Sequence, residues 1–403
     1  MSNTPKGLRL HIGIFGKRNM GKSSLINLLS GQNTSIVSEK KGTTTDPVNK
    51  PMELLPIGPV MLIDTAGLDD IGEIGQLRIQ KTLQTLDRID IALIVSDYEG
   101  WTEIEYNLLK KLKSLSIPAI AIINKKDIAT ISEKNLEEIE KSLPTIQIST
   151  KDKKDIDKIK SALIQNTPQS FFENTKILSD LIPEKGHVIF VIPIDKEAPK
   201  GRLILPQVQA IRDILDGNQI CTICKTSELQ DAIQSLKTPP CLVVTDSQAF
   251  YEVDKIVPES IPLTSFSILF ARLKGDFQEF LKGANAIDSL KNGAKVLIAE
   301  SCTHHPIEDD IARVKIPKLL EKKTEKSLIF EHFSGHDFPN NLEDYQLIIH
   351  CGGCMTNKKE ILSRILKAKQ NNIPITNYGM AIAHCIGILK RASQILIKDE
   401  DVR

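Results

Sequence analysis

Short apolar runs alternate with amphipathic stretches along almost the whole chain. Up to about residue 170, continuous apolar runs at 8–15, 60–64, 89–95, 119–124 and 145–149 predict strands. Between them, apolar positions recur at helical spacing over 22–29, 103–114 and 132–143. Strands spaced by helices in this way predict a parallel sheet wrapped by helices. A polar hinge at 165–175 follows, and then the alternation resumes. Strands are predicted at 187–194, 219–224 and 241–245, and helices at 205–215 and 228–236. Pro258 and Pro262 mark a boundary. Beyond it the pattern predicts one long helix over 265–291 and strands at 295–300, 347–350 and 373–377. The expected fold class is α/β, with domains at 1–170, 171–262 and 263–403.

Composition excludes several classes. The 403 residues are 41% hydrophobic and 26% charged, ordinary for a globular chain. Lys and Arg number 52 against 51 Asp and Glu, a net charge of +1. That argues against a strongly basic protein that coats nucleic acid and against an acidic disordered one. Lys40, Lys41 and the lysines of 151–154 read as solvated loop charges. The 7 cysteines are too sparse and uneven for a disulfide framework. The N-terminal apolar run leads straight into a phosphate-binding motif with no cleavage site. The longest uncharged stretch, 370–389, contains Asn371, Asn372, Pro374 and His384 and is too polar for a membrane span. The expectation is a cytoplasmic chain with neither membrane nor nucleic acid as partner.

The run 8–15 enters Gly16-Lys17-Arg18-Asn19-Met20-Gly21-Lys22-Ser23, which is G-x-x-x-x-G-K-S between a strand and a helix. Gly16 and Gly21 let the backbone curl so that successive N–H groups face phosphates. Lys22 reaches the β- and γ-phosphates, and Ser23 offers its hydroxyl to Mg²⁺. Gly16, Asn19, Met20, Gly21, Lys22, Ser23 and Ser24 are the expected nucleotide contacts of this loop, and the helix N-terminus adds a favourable dipole. Asp64-Thr65-Ala66-Gly67 ends the strand at 60–64, where an Asp holds Mg²⁺ through water and Gly67 offers its N–H to the γ-phosphate.

Asn124-Lys125-Lys126-Asp127 ends another strand and resembles the base-reading motif of Ras-like GTPases; Ser149 and Thr150 resemble the final, weaker base contact. Alone, Asn-Lys-Lys-Asp in a charged loop is a solvated turn, but the order of these segments at successive strand ends points to GTP. Gly42-Thr43-Thr44-Thr45-Asp46 resembles the first switch of the TrmE–Era group, which places Thr44 on Mg²⁺. Leu68 follows Gly67 where Ras-like proteins carry a water-orienting Gln, and Leu cannot orient water. In the TrmE branch an Asn of the phosphate loop helps hold K⁺ at that stage. Asn19 occupies this place, so the resemblance implies K⁺-stimulated hydrolysis promoted by contact between G domains. Lys22, Thr44, Asp64 and Gly67 are the expected catalytic set.

The C-terminal part carries different chemistry. Cys302 follows the strand at 295–300, and Cys351-Gly352-Gly353-Cys354 follows the strand at 347–350. Loops at strand carboxyl ends converge on one crevice in open α/β sheets. Three thiolates suit a zinc site completed by His304, His305 or His350, or a 4Fe–4S cluster with one non-cysteine position. Spacing does not choose between them. Cys221 and Cys224 lie within a strand pattern, face opposite sides and read as packed hydrophobes, as do Cys241 and Cys385.

The combination resembles the HydF family of FeFe-hydrogenase maturation GTPases over essentially the full chain. The carrying residues are the segments 42–47, 64–70 and 194–207, with Cys302-Thr303-His304 and His350-Cys351-Gly352-Gly353-Cys354. The resemblance implies a Ras-like P-loop GTPase domain, a small α/β dimerisation domain and a Rossmann-like cluster domain. It implies a 4Fe–4S cluster on Cys302, Cys351 and Cys354, with His304 as candidate for the fourth position. It also implies a scaffold, a homodimer or higher, that receives a di-iron precursor from the radical-SAM maturases HydE and HydG and delivers it to apo-FeFe-hydrogenase. Two alternatives stay open: a zinc-containing regulatory GTPase, and an RNA- or ribosome-associated TrmE–Era-type GTPase. A redox enzyme using Cys351 and Cys354 as a dithiol is a third.

Overall fold

The computed structural model describes residues 5–31, 47–70, 73–172, 176–194, 203–301, 311–336, 338–339, 341–353 and 356–397. The chain divides into two compact units, Met1–Asn174 and Thr175–Arg403. Thr44, Cys302, His304, His305, Cys354 and most of the segment 194–207 lie outside the described residues.

The first unit is built on strands β1 (Leu10–Phe15), β2 (Val48–Leu54), β3 (Gly58–Asp64), β4 (Ile91–Ser96), β5 (Ala119–Ile123) and β6 (Thr145–Gln147). They form one sheet in the order β2-β3-β1-β4-β5-β6. All neighbours pair in parallel except β2, which runs antiparallel to β3. The period of two is visible in the packing. Leu10, Ile12 and Ile14 of β1, with Ile91, Leu93 and Val95 of β4, enter one apolar core. Phe15, Ala92 and Ile94 enter the core on the other face. A sheet covered on both sides explains why these strands read as unbroken apolar runs. The sequence pattern predicts no strand at β2, and the reason is its position. It is a largely exposed edge carrying Pro51, which a ladder tolerates only there. The predicted helix 103–114 forms as Glu103–Ser114. The Glu105 carboxylate accepts the Thr102 N–H at 2.8 Å and its hydroxyl at 2.7 Å, closing the first turn.

The second unit contains two four-stranded parallel sheets. One comprises β7 (His187–Val191), β8 (Ile220–Cys224), β9 (Leu242–Thr245) and β10 (Leu263–Ser265), in the order β10-β9-β7-β8. The other comprises β11 (Lys295–Glu300), β12 (Ile329–Ser334), β13 (Leu347–His350) and β14 (Ile375–Asn377), in the order β12-β11-β13-β14. The expected break at 262/263 falls just before β10, which pairs with β9, so the middle sheet continues past it. The predicted helix 265–291 is not continuous. It forms Phe266–Lys274 and Phe277–Asn285, followed by a short 3-10 turn. Gly275 ends the first helix, and the Asp276 side chain accepts the Glu279 N–H at 3.1 Å to start the second. A helical period survives such a break because both pieces face the same core.

That core is shared. Ile189 of β7, Val243 of β9, Ile268 and Ala271 of the first helix, Phe280 and Ala284 of the second, Leu297 of β11 and Ile348 of β13 belong to one apolar cluster. Arg391 near the C-terminus also donates to Asp254, Val257 and Pro258, holding the segment that the prolines marked. Cys221 is half-buried and Cys224 buried on edge strand β8, and burial pushes both thiols up, Cys224 to about 11. Among the described residues no helix is long and apolar enough to cross a membrane.

Candidate functional site

The first site surrounds the loop after β1. Lys22 opens the helix Lys22–Ser30 and is buried, and its Nζ donates to the Gly16 carbonyl at 2.8 Å and the Lys17 carbonyl at 2.7 Å. The loop thus curls around its own lysine. Gly21 has φ +95°, and a Cβ there would stand 2.2 Å from Asn124 Nδ2, so glycine is required. Asn19, at φ +62°, is exposed, as are Ser23 and Ser24. The Ser23 hydroxyl donates to Asp64 Oδ2 at 3.2 Å, which places two oxygen ligands suited to Mg²⁺ side by side. Burial pushes the Asp64 carboxyl up, while Lys22 pulls it down. Burial likewise lowers Lys22, and Asp64 opposes this. Each group is therefore costly without the other.

Gly67 lies against Arg18 of the loop; a Cβ there would meet the Arg18 side chain at 2.5 Å. Leu68 is partly buried against the apolar core and donates its N–H to the Gly16 carbonyl at 3.3 Å. The acidic pair that closes the segment 64–70 faces the phosphate loop. Asp69 accepts the Arg18 N–H at 2.7 Å, and Asp70 lies 3.3 Å from Arg18 Nε.

The residues expected to read the base converge from two strand ends. Buried Asn124 donates to the Met20 carbonyl at 2.9 Å and accepts the Thr150 N–H at 3.1 Å. Asp127 accepts the Ser149 hydroxyl at 2.7 Å and lies 3.0 Å from Lys151 Nζ. These contacts, Ser149 first, hold its carboxyl below the usual range. Lys125 pairs with Asp97 at 2.9 Å. Asp155 supports the turn from below, accepting the Ser149 N–H at 2.8 Å and pairing with Lys126. Of the predicted nucleotide residues, every one within the described part thus lies in or against a single loop cluster of the first unit.

The second site is at the carboxyl end of the second unit's β11–β14 sheet. Its strand order reverses between β11 and β13, which pair in parallel with Ala299 opposite His350. This is the switch point where open α/β sheets hold ligands. Ser301, the residue before Cys302, donates its N–H to Cys351 Sγ at 3.1 Å, and its hydroxyl lies 3.2 Å from the same sulfur. Gly353 has φ +63°, and a Cβ there would stand 2.5 Å from Ile361 Cδ1, so this position needs glycine. Burial alone would push the Cys351 thiol up. The neighbouring His350, Ser301 and the Gly353 N–H outweigh it and hold the thiol down at about 6, which favours the ligand form of sulfur.

His350 is 1% exposed and committed on both ring nitrogens. Arg364 Nη1 lies 2.9 Å from Nε2, and Nδ1 lies 2.7 Å from the Cys351 carbonyl. Arginine only donates, so Nε2 accepts and Nδ1 carries the proton. His350 therefore orients the turn and is not available as a metal ligand, which removes it from the zinc alternatives. Arg364 is held by Glu360 at 2.9 Å and donates to the Gly335 carbonyl at 2.7 Å. Among the described residues no cluster of three metal-ligating side chains occurs, two of the three cysteines lying outside them.

Similarity to known proteins follows the same division. The 50S ribosome-binding GTPase family matches residues 11–125. The tRNA modification GTPase MnmE of Prochlorococcus marinus is 38% identical over 134 residues, 33% of this chain and 28% of that protein. The GTPase Der of Wolinella succinogenes is 31% identical over 170 residues, 39% of this chain and 35% of that protein. The chain thus spans about a third of the length of these curated relatives. Era of Aquifex aeolicus aligns in structure with TM-score 0.34 and 20% identity, over 61% of this chain and 97% of Era. The hydrogen maturase F dimerization domain matches residues 177–275, and the hydrogen maturase F tetramerization domain matches 278–395. With a P-loop GTPase domain ahead of both of these domains, the chain belongs to the hydrogen maturase F family.

Proposed function

We propose that this protein is a GTP-hydrolysing scaffold of FeFe-hydrogenase maturation that carries a 4Fe–4S cluster on Cys302, Cys351 and Cys354 and passes a di-iron precursor to apo-hydrogenase. One observation carries the cluster reading. The loop leading to Cys302 touches Cys351 directly, through the Ser301 N–H on Sγ, at the switch point of the sheet. The donor set is three thiols with glycines beside them, which suits a cluster with one position left for a non-cysteine ligand. His304 is the candidate for that position. Such a cluster supplies an iron able to accept a bridging ligand from the cargo. The chain's part is to hold three sulfurs, to orient the turn through His350 and Arg364, and to keep Cys351 in its ligand form.

In the first unit, Ser23, Asp64 and Thr44 would hold Mg²⁺, Asn19 would hold K⁺, and Lys22 and the Gly67 N–H would meet the γ-phosphate. Bound Mg²⁺ and K⁺ supply positive charge to the phosphates as the leaving bond breaks. Asn124, Lys125 and Asp127 read guanine, with Ser149 and Thr150 supporting them. Because Leu68 is partly buried against the core and an alkyl side chain cannot orient water, stimulation by K⁺ and by contact between G domains replaces that function. GTP state then governs association with HydE, HydG and the hydrogenase. The matched dimerization and tetramerization domains support a homodimer or higher as the working form, and the cytoplasm is its expected place.

The test is anaerobic reconstitution with iron and sulfide, followed by EPR of the reduced protein. An S = 1/2 signal in wild type that is lost or strongly altered in Cys302→Ala supports the reading. A colourless protein with stoichiometric zinc overturns it.

A further inference from the structure

The segment that follows strand β3 is fastened to the phosphate loop by three contacts. Leu68 donates its N–H to the Gly16 carbonyl at 3.3 Å. The Asp69 carboxylate accepts the Arg18 N–H at 2.7 Å, and Asp70 lies 3.3 Å from Arg18 Nε. Asp70 also lies 3.7 Å from Arg78 Nη1, on the helix Glu73–Gln84. The two acids thus differ. Asp70 faces two guanidinium groups, whereas Asp69 holds a neutral amide N–H. Gly67 stands so close to the loop that a Cβ on it would lie 3.1 Å from the Arg18 nitrogen and 2.9 Å from Asp69 Oδ1.

The backbone N–H groups of such a loop are anion donors, aimed at phosphates. Here one of them is taken by an anion that the chain itself supplies. That N–H is beside Gly67, whose own N–H is the expected donor to the γ-phosphate. Both carboxylates also act on Lys22, the residue expected to reach the β- and γ-phosphates. Burial lowers its pKa, and Asp64, then Asp69 and Asp70, oppose this. Asp69 therefore sits at the end of the loop where the γ-phosphate would arrive. GTP brings further negative charge to that end, and GDP does not. Like charges close together in a half-buried place repel, so GTP must displace the Asp69 carboxylate and GDP need not.

Resting on the reading of Gly67 as a γ-phosphate donor, we infer that Asp69 is a specificity-determining residue for nucleotide state: its carboxylate holds the segment 67–70 on the phosphate loop while the γ position is empty and competes with the γ-phosphate, which lowers the preference for GTP over GDP.

The experiment uses the full chain with Mg²⁺ and K⁺. Displacement of a fluorescent GDP gives the affinities of GDP and of a non-hydrolysable GTP analogue. Wild type is compared with Asp69→Asn, which keeps an acceptor for the Arg18 N–H and loses the charge, and with Asp69→Ala, which loses both. Glu137→Gln, at an exposed position of the helix Glu133–Glu140, controls for net charge. The expected result is a GTP analogue tightened relative to GDP by at least about fivefold in both Asp69 variants, and a wild-type ratio in Glu137→Gln. A wild-type ratio in Asp69→Asn overturns the inference. So does equal weakening of both nucleotides in the two Asp69 variants, the mark of a merely structural contact. Gly67→Ala checks the reading beneath. Its Cβ should weaken the GTP analogue and spare GDP. A wild-type ratio there refutes the placement of the γ-phosphate beside residue 67, and the inference falls with it. A shifted ratio in Gly67→Ala beside an unshifted Asp69→Asn refutes the inference alone.

Discussion

Asn124 Nδ2 donates to the carbonyl of Met20 at 2.9 Å, joining the loop that would read the base to the loop that would hold the phosphates. The same side chain accepts the Thr150 N–H at 3.1 Å, so one amide ties three segments together. Asn124→Ala leaves both partners unsatisfied at partly buried positions. It should destabilise the first unit by about 1–3 kcal/mol and weaken GTP by at least about tenfold. Denaturant unfolding and nucleotide titration check the two effects separately.

Asp127 is the group expected to pair with guanine. Asp127→Asn should weaken GTP and improve XTP, measured by competition binding; an unchanged base preference would remove it from the base site. The pH dependence has a definite sign. Ser149 and Lys151 lower the Asp127 pKa, so its ionised form is complete at neutral pH and is lost only as pH falls below the usual carboxylate range. Ser149→Ala removes the leading cause and should move the acid limb of GTP binding to higher pH.

Lys22 bridges the Gly16 and Lys17 carbonyls far from the cysteine turn in sequence, and in a different compact unit. Lys22→Ala should lower GTP hydrolysis by on the order of a hundredfold or more, as loss of a charge-stabilising donor does. Iron per chain after reconstitution should be unchanged. Loss of iron in that variant would show that the two sites are not separate.

Gly353→Ala tests the cysteine turn through its backbone. A side chain at φ +63° costs about 1–2 kcal/mol, and the new Cβ would press on Ile361. Iron uptake should fall while GTP hydrolysis is retained, measured on the same preparation.

Much of this architecture is legible in the sequence because buried parallel strands announce themselves. The strands at 295–300 and 347–350 and the helix at 103–114 form with the predicted bounds. What escaped lies at edges or depends on distant contacts. β2 and β12 are edge strands with polar residues on a half-wet face, and β10 is only three residues long. The phosphate and base motifs stand out in the sequence because each is a short run of residues at a strand end. The partners that hold such runs do not. Asp69 on Arg18, Arg364 on His350 and Lys274 on Gly353 meet across 14 to 79 residues. Only Lys274 left a trace, as a charge on the apolar stripe of the helix Phe266–Lys274.

The apolar cluster common to the two sheets of the second unit has a consequence for how this protein is inherited and how it breaks. The two matched hydrogen maturase F domains meet between residues 275 and 278, yet no seam in the packing corresponds to that line. Cleavage there would expose Ile268 and Ala271 on one fragment and Phe280 and Ala284 on the other, and would carry Lys274 away from the turn it supports. What is recognised as two modules should therefore melt in one transition, and neither half should survive a protease alone.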